Sequence, residues 1–216
     1  MDGGLADAWP LFGLRLRVGR LELRLPTDAE LVTLTVLAVA GVHEPGQAPF
    51  DVDWTRVPPP TLRRNLLRYH WRIRAEWSPS SWRLALGVFE NGRLLGAQQL
   101  SAERFAARRT VETWSWLALA EQGRGVGSAM RTAVLALAFD GLGGLEARSM
   151  VFEDNTASLR LAKRLGYVDD GSELRDREGR PARMRRMVLS VDRWRAQGRP
   201  PVEIEGLESS RSMFGV

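Results

Sequence analysis

The chain of 216 residues contains no cysteine, a single lysine and only two histidines. Without cysteine there are no disulfide bridges, thiolate metal sites or cysteine nucleophiles, and a reducing compartment such as the cytoplasm is expected. No stretch of about eighteen residues is wholly apolar, which argues against a membrane-spanning helix. The opening residues lack a basic segment followed by an apolar core, which argues against a secretory signal.

The net charge is modestly positive, at +5, because 31 basic residues face 26 acidic ones. Apart from Lys163, every basic residue is arginine. A modest positive charge suits an anionic ligand or an acidic partner surface. Nucleic-acid-binding proteins concentrate basic residues on one face, whereas acidic residues are interspersed along almost all of this chain. We therefore expect no nucleic acid and no membrane among its partners.

Periodicity predicts an alternation of strands and helices. Alternating apolar and charged residues predict a strand pair or bulged strand over 14–25, and Thr27 with Glu30 forms a capping box that opens a helix to about Val42. Asn91-Gly92 predicts a tight hairpin turn. The other predicted elements are helices over 61–77, 128–140 and 159–165, a turn over 106–109, and strands over 82–89, 93–102, 110–120, 145–152, 167–174 and 184–191.

This order of elements indicates the fold class. Hairpins followed by strand–helix–strand–helix units predict an α/β (α+β) fold with a mixed, mostly antiparallel sheet and a parallel crossover. Residues 1–194 are predicted to form a single domain. The Pro-, Gly- and Ser-rich residues 195–216 are predicted to form a C-terminal tail that includes a short strand near 202–204.

A glycine-dense loop, Gln122-Gly123-Arg124-Gly125-Val126-Gly127, lies between a predicted strand and a predicted helix. Glycines let the backbone approach an anion closely, and the first N–H groups of a helix bind phosphates. The spacing differs from the Rossmann and Walker patterns. The loop therefore predicts a phosphate or pyrophosphate site to which Arg124 adds a charged contact, with an ordinary strand-to-helix turn as the alternative.

The residues downstream extend this pattern with a strand, Asn155-x-x-Ser158, a short helix and Gly166-Tyr167. The whole order resembles the coenzyme A site of the GNAT acyltransferase superfamily. With Ala138-Phe139 late in the preceding helix, it is similar to the RimJ/RimL-like branch of ribosomal-protein N-terminal acetyltransferases. The resemblance covers about 15–194. It implies a GNAT fold with splayed central strands and an acyl-CoA-dependent N-acyltransferase.

The resemblance also implies a donor site. The pyrophosphate would lie on the N–H groups of the loop, and the pantetheine arm would pair with the strand before it like an extra strand. The implied cofactor-binding residues are Leu117, Leu119, Gln122, Gly123, Arg124, Gly125, Val126, Gly127, Asn155 and Ser158. The donor would be acetyl-CoA or another acyl-CoA such as succinyl-CoA, with no metal. A noncatalytic acyl-CoA-binding module on the same fold remains the alternative.

The catalytic groups are less fully specified by the resemblance. Many GNAT enzymes carry a general-acid tyrosine seven positions after the asparagine, but that position is Ala162. Ser158 would hydrogen-bond the leaving thiolate instead, while a second interpretation makes Asn155 a helix cap and Ser158 a first-turn residue. The main candidates for the general base are Glu112 and His43, and His43 alternatively caps its helix. Glu121 beside the glycine loop and Glu44 beside His43 are further acidic groups near the expected site.

The acceptor is expected to be a primary amine on a protein N-terminus, a lysine or a small molecule. It would enter over the first two helices, lined by His43, Glu44, Phe50 and Trp54. A homodimer is compatible with the resemblance. The tryptophans expected to build the core and the walls of this groove are Trp54, Trp71, Trp77, Trp82, Trp114 and Trp116. The arginines expected at solvated strand edges, or alternatively at an acyl or substrate carboxylate, are Arg108, Arg109, Arg183, Arg185 and Arg186.

Overall fold

The computed structural model describes residues 4–216, in which nine strands form one sheet with helices on both faces. The strands are β1 (Arg15–Val18), β2 (Leu21–Arg24), β3 (Ser81–Glu90), β4 (Arg93–Glu103), β5 (Thr110–Leu117), β6 (Glu146–Phe152), β7 (Val168–Arg177), β8 (Arg180–Ser190) and β9 (Glu203–Glu205). The helices are α1 (Leu5–Ala8), α2 (Asp28–Ala40), α3 (Pro59–Ala75), α4 (Phe105–Arg108), α5 (Val126–Ala136), α6 (Thr156–Arg164), α7 (Val191–Arg195) and α8 (Leu207–Ser210). Within these residues, no helix combines the length and apolar character needed to cross a bilayer.

The strand order is β7-β8-β6-β5-β4-β3-β2-β1-β9. The β5–β6 pair is parallel, and the other neighbouring pairs are antiparallel. Helix α5 makes the crossover between the two parallel strands, as a strand–helix–strand unit requires. The predicted fold class, a mixed and mostly antiparallel sheet flanked by helices, is confirmed.

The two parallel strands separate soon after they meet. Thr110–Glu112 of β5 pairs with Glu146–Arg148 of β6. Beyond that point, within the described chain, β5 pairs only with β4, and β6 pairs only with β8. The backbone of residues 113–117 therefore has an open edge toward β6, and this splay was expected for the central strands.

Two hydrophobic cores cover the faces of the sheet. On one face, α2 and α3 pack through Leu34 and Leu66 onto strand residues that include Trp116. On the other face, α5 and α6 pack through Val134 and Ala162 in the larger core. Because side chains alternate along a strand, Trp114 lies on the α2–α3 side with Trp116, whereas Thr113 and Ser115 point to the α5 side.

Several local predictions are confirmed and others need correction. Thr27 and Glu30 form the predicted capping box, and Asn91 and Gly92 both have the positive φ of the predicted hairpin turn. The strand predicted to run to residue 120 ends at Leu117, because Leu119–Glu121 forms a 3₁₀ turn. The predicted turn over 106–109 is the short helix α4. The helix predicted over 128–140 is α5 followed by a π-helical turn at Leu137–Gly141.

The prediction for one of the tryptophans is wrong. Trp71, predicted to be in the core or groove, is 47% exposed, and its indole donates to Asp28. The residues after 195 pack against the domain, since β9 pairs with β1 and Phe214 is fully buried against Trp82.

Candidate active site

The glycine loop presents a row of unused backbone N–H groups. Gly123 and Gly125 have φ values of +75° and +82°, and Gly125 is the N-cap of α5. In the described part of the chain, the N–H groups of residues 123–127 have no hydrogen-bond partner. The N–H of Gln122 instead donates to Leu119. The loop therefore offers five N–H groups at the positive end of a helix, a geometry that suits a phosphate group.

The side chain of Gln122 holds the loop in position. Its amide nitrogen donates to the carbonyls of Val42 (2.8 Å) and Leu117 (3.1 Å). The N–H of Leu119 donates to the carbonyl of Gly41 and so is not free for strand-like pairing. These bonds join the end of α2, the end of β5 and the glycine loop into one unit.

Arg124 is part of a charged cluster beside the loop. Its guanidinium pairs with Glu90 (3.0 Å) and with Glu121. Glu121 also pairs with Arg93, and the Arg93 guanidinium is the main cause that holds the pKa of Glu121 below its ordinary value. With Arg20 also pairing with Glu90, three arginines share two carboxylates and leave the cluster with a net positive charge.

Helix α6 begins next to the loop. A Cβ atom on Gly127 would lie 3.6 Å from Leu161, so the first turn of α5 lies against the second turn of α6. Asn155 caps α6 by accepting the backbone N–H of Ser158 at 3.1 Å. The cap uses the amide oxygen of Asn155 and the backbone of Ser158, which leaves the Asn155 NH₂ group and the Ser158 hydroxyl available.

The open edge of β5 points toward the same region. The N–H of Ala118 donates to Leu95 on β4, and backbone direction alternates along a strand. The N–H groups of Leu117 and Ser115 therefore face the gap toward β6. An extended ligand that enters from the glycine loop would meet them, and either N–H could stabilise a developing oxyanion.

An aromatic cluster lies on the α2–α3 side of this edge. Phe50 packs against Trp54 (5.3 Å between ring centroids) and against Trp114 (5.7 Å), and Trp54 packs against Trp116 (5.7 Å). His43 lies edge-on to Phe50. The structure thus brings together three of the four residues predicted to line an acceptor groove, and Glu44 lies beside them with its side chain exposed.

Both ring nitrogens of His43 are engaged. Nδ1 lies 2.9 Å from the carbonyl of Glu44, and Nε2 lies 2.9 Å from the hydroxyl of Thr55. The carbonyl can only accept, so Nδ1 carries a proton, and in the neutral ring Nε2 accepts from Thr55. This arrangement orders the α2–α3 loop and engages both ring nitrogens within it.

The α2–α3 loop is tied to the β7–β8 hairpin across the mouth of the groove. Arg177 donates to the carbonyl of Ala48 and pairs with Asp154 (2.7 Å), while Arg56 pairs with Glu178. A cavity of about 30 Å³ lies between the two segments. Sequence reasoning missed Arg177, because only the fold brings the hairpin next to this loop.

Glu112 lies on the α2–α3 face, one residue before the open edge begins. Its side chain is exposed and, among the described residues, has no ion pair or hydrogen bond. Nearby on the same face, the Tyr69 hydroxyl bonds to Gln99, the β4 residue paired with Trp114, and burial raises the pKa of Tyr69. His70, the next residue, is buried, and burial lowers its pKa to about 4.

Most of the arginines considered as carboxylate ligands are occupied. Arg185 pairs with Glu153 and Asp169, and Arg186 donates to the carbonyl of Asp170.

Sequence reasoning overlooked Arg131, which is buried within α5. A charged residue at a core-facing position of the helix was the signal that could have identified it. Within residues 4–216, no group of three or more acidic or histidine side chains is arranged to hold a metal ion.

Comparison with known proteins agrees with this geometry. The acetyltransferase (GNAT) domain family matches residues 20–168. RimL, a ribosomal L7/L12 alpha-N-protein acetyltransferase solved with coenzyme A, is 16% identical with a TM-score of 0.64, over 83% of this chain and 99% of RimL. Mycobacterium smegmatis RimJ, solved with CoA-disulfide, is 15% identical with a TM-score of 0.65, over 94% of this chain and 95% of RimJ.

A third structure is yncA from Salmonella typhimurium with its cofactor acetyl-CoA. It is 21% identical with a TM-score of 0.60, over 85% of this chain and 99% of yncA. At these identities the likeness establishes a shared fold, and the family match adds the type of enzyme. The chain belongs to the acetyltransferase (GNAT) domain family and is an acyl-CoA-dependent N-acyltransferase.

Proposed function

We propose that this enzyme binds an acyl-CoA along the glycine loop and the open edge of β5, and transfers the acyl group to a primary amine. The observation that carries the proposal is the continuity of the two features. Five unpartnered N–H groups at the start of α5 lead directly to the unpaired edge of residues 113–117. The first suits a pyrophosphate, and the second suits the amide groups of a pantetheine arm.

The donor site assigns separate roles to its residues. Residues 123–127 would bind the pyrophosphate, and the net positive cluster around Arg124 would favour the anion electrostatically. Gln122 acts by holding the loop on β5. The NH₂ group of Asn155 would contact the pantetheine, while the Ser158 hydroxyl would donate to the sulfur as the thiolate leaves. Leu119 contributes packing rather than a backbone bond, because its N–H is already used.

The chemical step needs an oxyanion donor and a proton acceptor. The N–H of Ser115 or Leu117 would stabilise the negative charge on the thioester oxygen. Glu112 is the better candidate for the base, because it is exposed on the acceptor face and, among residues 4–216, has no ion pair or hydrogen bond through its side chain. His43 would position the groove, since its Nε2 already accepts from Thr55.

The acceptor would approach over the aromatic cluster. Phe50, Trp54 and Trp114 offer apolar contact, and Glu44 offers a charge for an incoming ammonium group. Among proteins of this fold, RimL acts on a ribosomal protein and another is a spermidine N-acetyltransferase chimera. We propose a primary amine of this general kind, either a protein N-terminus or a small polyamine, as the acceptor here.

Mass spectrometry of the ligand that co-purifies with the protein tests the donor. Release of free thiol from acetyl-CoA, with and without alanine-initiated peptides or spermidine, then tests the transfer. The proposal expects a CoA species in the first experiment and amine-dependent thiol release in the second. A protein that binds no CoA thioester, or that binds one and releases no thiol with any amine, would contradict it.

A further inference from the structure

Arg131 is a buried cation that has no counter-ion among the described residues. Its side chain points from α5 into the core, and the residue is 4% exposed. Nη2 donates to the hydroxyl of Ser115 at 3.1 Å, but within the described chain neither Nε nor Nη1 has an acceptor. A guanidinium is charged under all ordinary conditions, and leaving it unpaired in a core is costly.

Hydroxyl groups lie around Arg131, and the buried Gln98, which pairs with Ser115 and shares its face of the sheet, also has an amide oxygen without a partner among the described residues. The Thr113 hydroxyl and the Tyr167 phenol are also buried, and they lie near each other and near Arg131. Among the described residues, neither oxygen has a partner at normal hydrogen-bond distance and angle. Burial lowers the pKa of Arg131, and among the described residues no carboxylate opposes that shift. By contrast, the buried carboxylate of Glu121 is paired with two arginines. This cluster of Arg131, Thr113, Ser115 and Tyr167 therefore offers several donors and lacks an anionic acceptor.

The cluster lies on the α5 face of the sheet, next to the open edge of β5. Thr113 and Ser115 belong to the stretch whose backbone faces the gap, and their side chains point toward α5. The Arg131 guanidinium is separated from the β5 backbone only by the side chain of Ser115, to whose hydroxyl it donates a 3.1 Å hydrogen bond. The four carbons of a succinyl group span about 4 Å at about 1.5 Å a bond, which is a distance of the same order.

We propose that this cluster binds the terminal carboxylate of the acyl group, so that the preferred donor is the CoA thioester of a short dicarboxylic acid of about four carbons. This inference rests on the proposed function, because it places the thioester at the open edge of β5. A carboxylate supplies the acceptors that Arg131 and the two hydroxyls lack, and a buried guanidinium–carboxylate contact is strong and directional. An acetyl group would leave the cluster unpaired.

The reaction itself is unchanged by this choice. The amine nitrogen forms a bond to the thioester carbon, the carbon–sulfur bond breaks, and the thiolate leaves while the amine loses a proton to the base. The distal carboxylate keeps its charge throughout. The product is an amide that bears a free carboxylate, so the modified amine changes from a positive to a negative group.

Calorimetric titration with succinyl-CoA and butyryl-CoA tests the inference, since both acyl groups have four carbons and only one carries a carboxylate. We expect the wild type to bind succinyl-CoA at least tenfold more tightly. Arg131→Met should reduce that preference to less than threefold, whereas the control Arg160→Met, an exposed arginine on α6, should retain it. Equal binding by the wild type, or a preference that survives Arg131→Met, would overturn the inference.

Thr113→Val provides a second test if Arg131→Met does not fold, because valine is similar in size and, within the described residues, the Thr113 hydroxyl makes no hydrogen bond of normal geometry. We expect the preference for succinyl-CoA to fall at least threefold in this variant, and an unchanged preference would overturn the inference. Failure of the proposed function looks different. In that case neither thioester would bind, or both would bind and release no thiol with any amine.

Discussion

The side-chain amide of Gln122 donates to the carbonyl of Leu117, and this 3.1 Å bond fixes the glycine loop to the last residue of β5. The same nitrogen donates to Val42 at the end of α2. One side chain therefore sets the position of the donor loop relative to the open strand edge and to the acceptor groove.

Replacing Gln122 with alanine should weaken both binding and folding. Two hydrogen bonds to buried carbonyls are lost, at about 1 kcal/mol each. We expect the free energy of unfolding to fall by about 1–2 kcal/mol and the affinity for coenzyme A to fall several-fold. Urea melts and calorimetry measure the two effects. Gln47→Ala, which removes an exposed glutamine from the α2–α3 loop, should leave coenzyme A affinity unchanged.

The Ser158 hydroxyl can be tested separately from the cap of α6. The cap uses the backbone N–H of Ser158, so Ser158→Ala preserves it. We expect Ser158→Ala to keep its melting temperature and to lower kcat more than it lowers coenzyme A affinity. Normal turnover in this variant would remove Ser158 from the catalytic step.

The two possible roles of Asn155, as a helix cap and as a contact to the pantetheine, can be separated by two substitutions. Asn155→Ala should lose about 1 kcal/mol of stability with the cap, whereas Asn155→Asp keeps the capping oxygen and loses only the NH₂ group. If the NH₂ group contacts the pantetheine, Asn155→Asp should fold normally and bind coenzyme A more weakly. If both properties remain normal, Asn155 is only a cap.

We expect Glu44 to contribute to binding of the amine acceptor and not to binding of acyl-CoA. It is exposed at the rim of the aromatic cluster, whereas the donor site lies along β5 and the glycine loop. Glu44→Gln should raise the KM for the amine and leave the KM for acyl-CoA nearly unchanged, and the exposed Glu103→Gln should change neither. A parallel change in both constants would place the acceptor elsewhere.

The fold was largely predictable from local patterns, and the site was predictable only in part. The capping box at Thr27 and the turn at Asn91-Gly92 depend on neighbouring residues, and both are confirmed. The glycine loop is likewise a local feature. The engagement of Nε2 of His43 depends on Thr55, twelve positions away, and no sequence pattern signals it.

Long-range contacts explain the remaining differences. β5 ends at Leu117 because Leu119 turns to donate to Gly41, which belongs to a distant part of the chain. The composition of the residues after 195 resembles a tail, yet Phe214 packs on Trp82. Arg131 is one arginine among many in the sequence, and only its burial without a carboxylate distinguishes it.

Buried His70 predicts a pH dependence of stability. Its pKa is lowered to about 4 in the folded state, against about 6.5 when unfolded, so the unfolded chain binds the extra proton between these values. Stability should therefore be complete above pH 6.5 and should fall as the pH drops toward 4, by about 3 kcal/mol at most. Urea melts across this window should show that the free energy of unfolding depends less steeply on pH in His70→Gln than in the wild type.

If the glycine loop binds the pyrophosphate of an acyl-CoA, a glutamate side chain at position 125 should interfere with that binding, and calorimetric titration of Gly125→Glu with coenzyme A measures the effect. Gly19→Glu is the matched control, because both glycines have positive φ and neither has an atom within 4 Å of the added Cβ. We predict at least tenfold weaker binding, about 1.4 kcal/mol, in Gly125→Glu and wild-type affinity in Gly19→Glu. Wild-type affinity in a folded Gly125→Glu protein would show that the pyrophosphate does not bind at this loop.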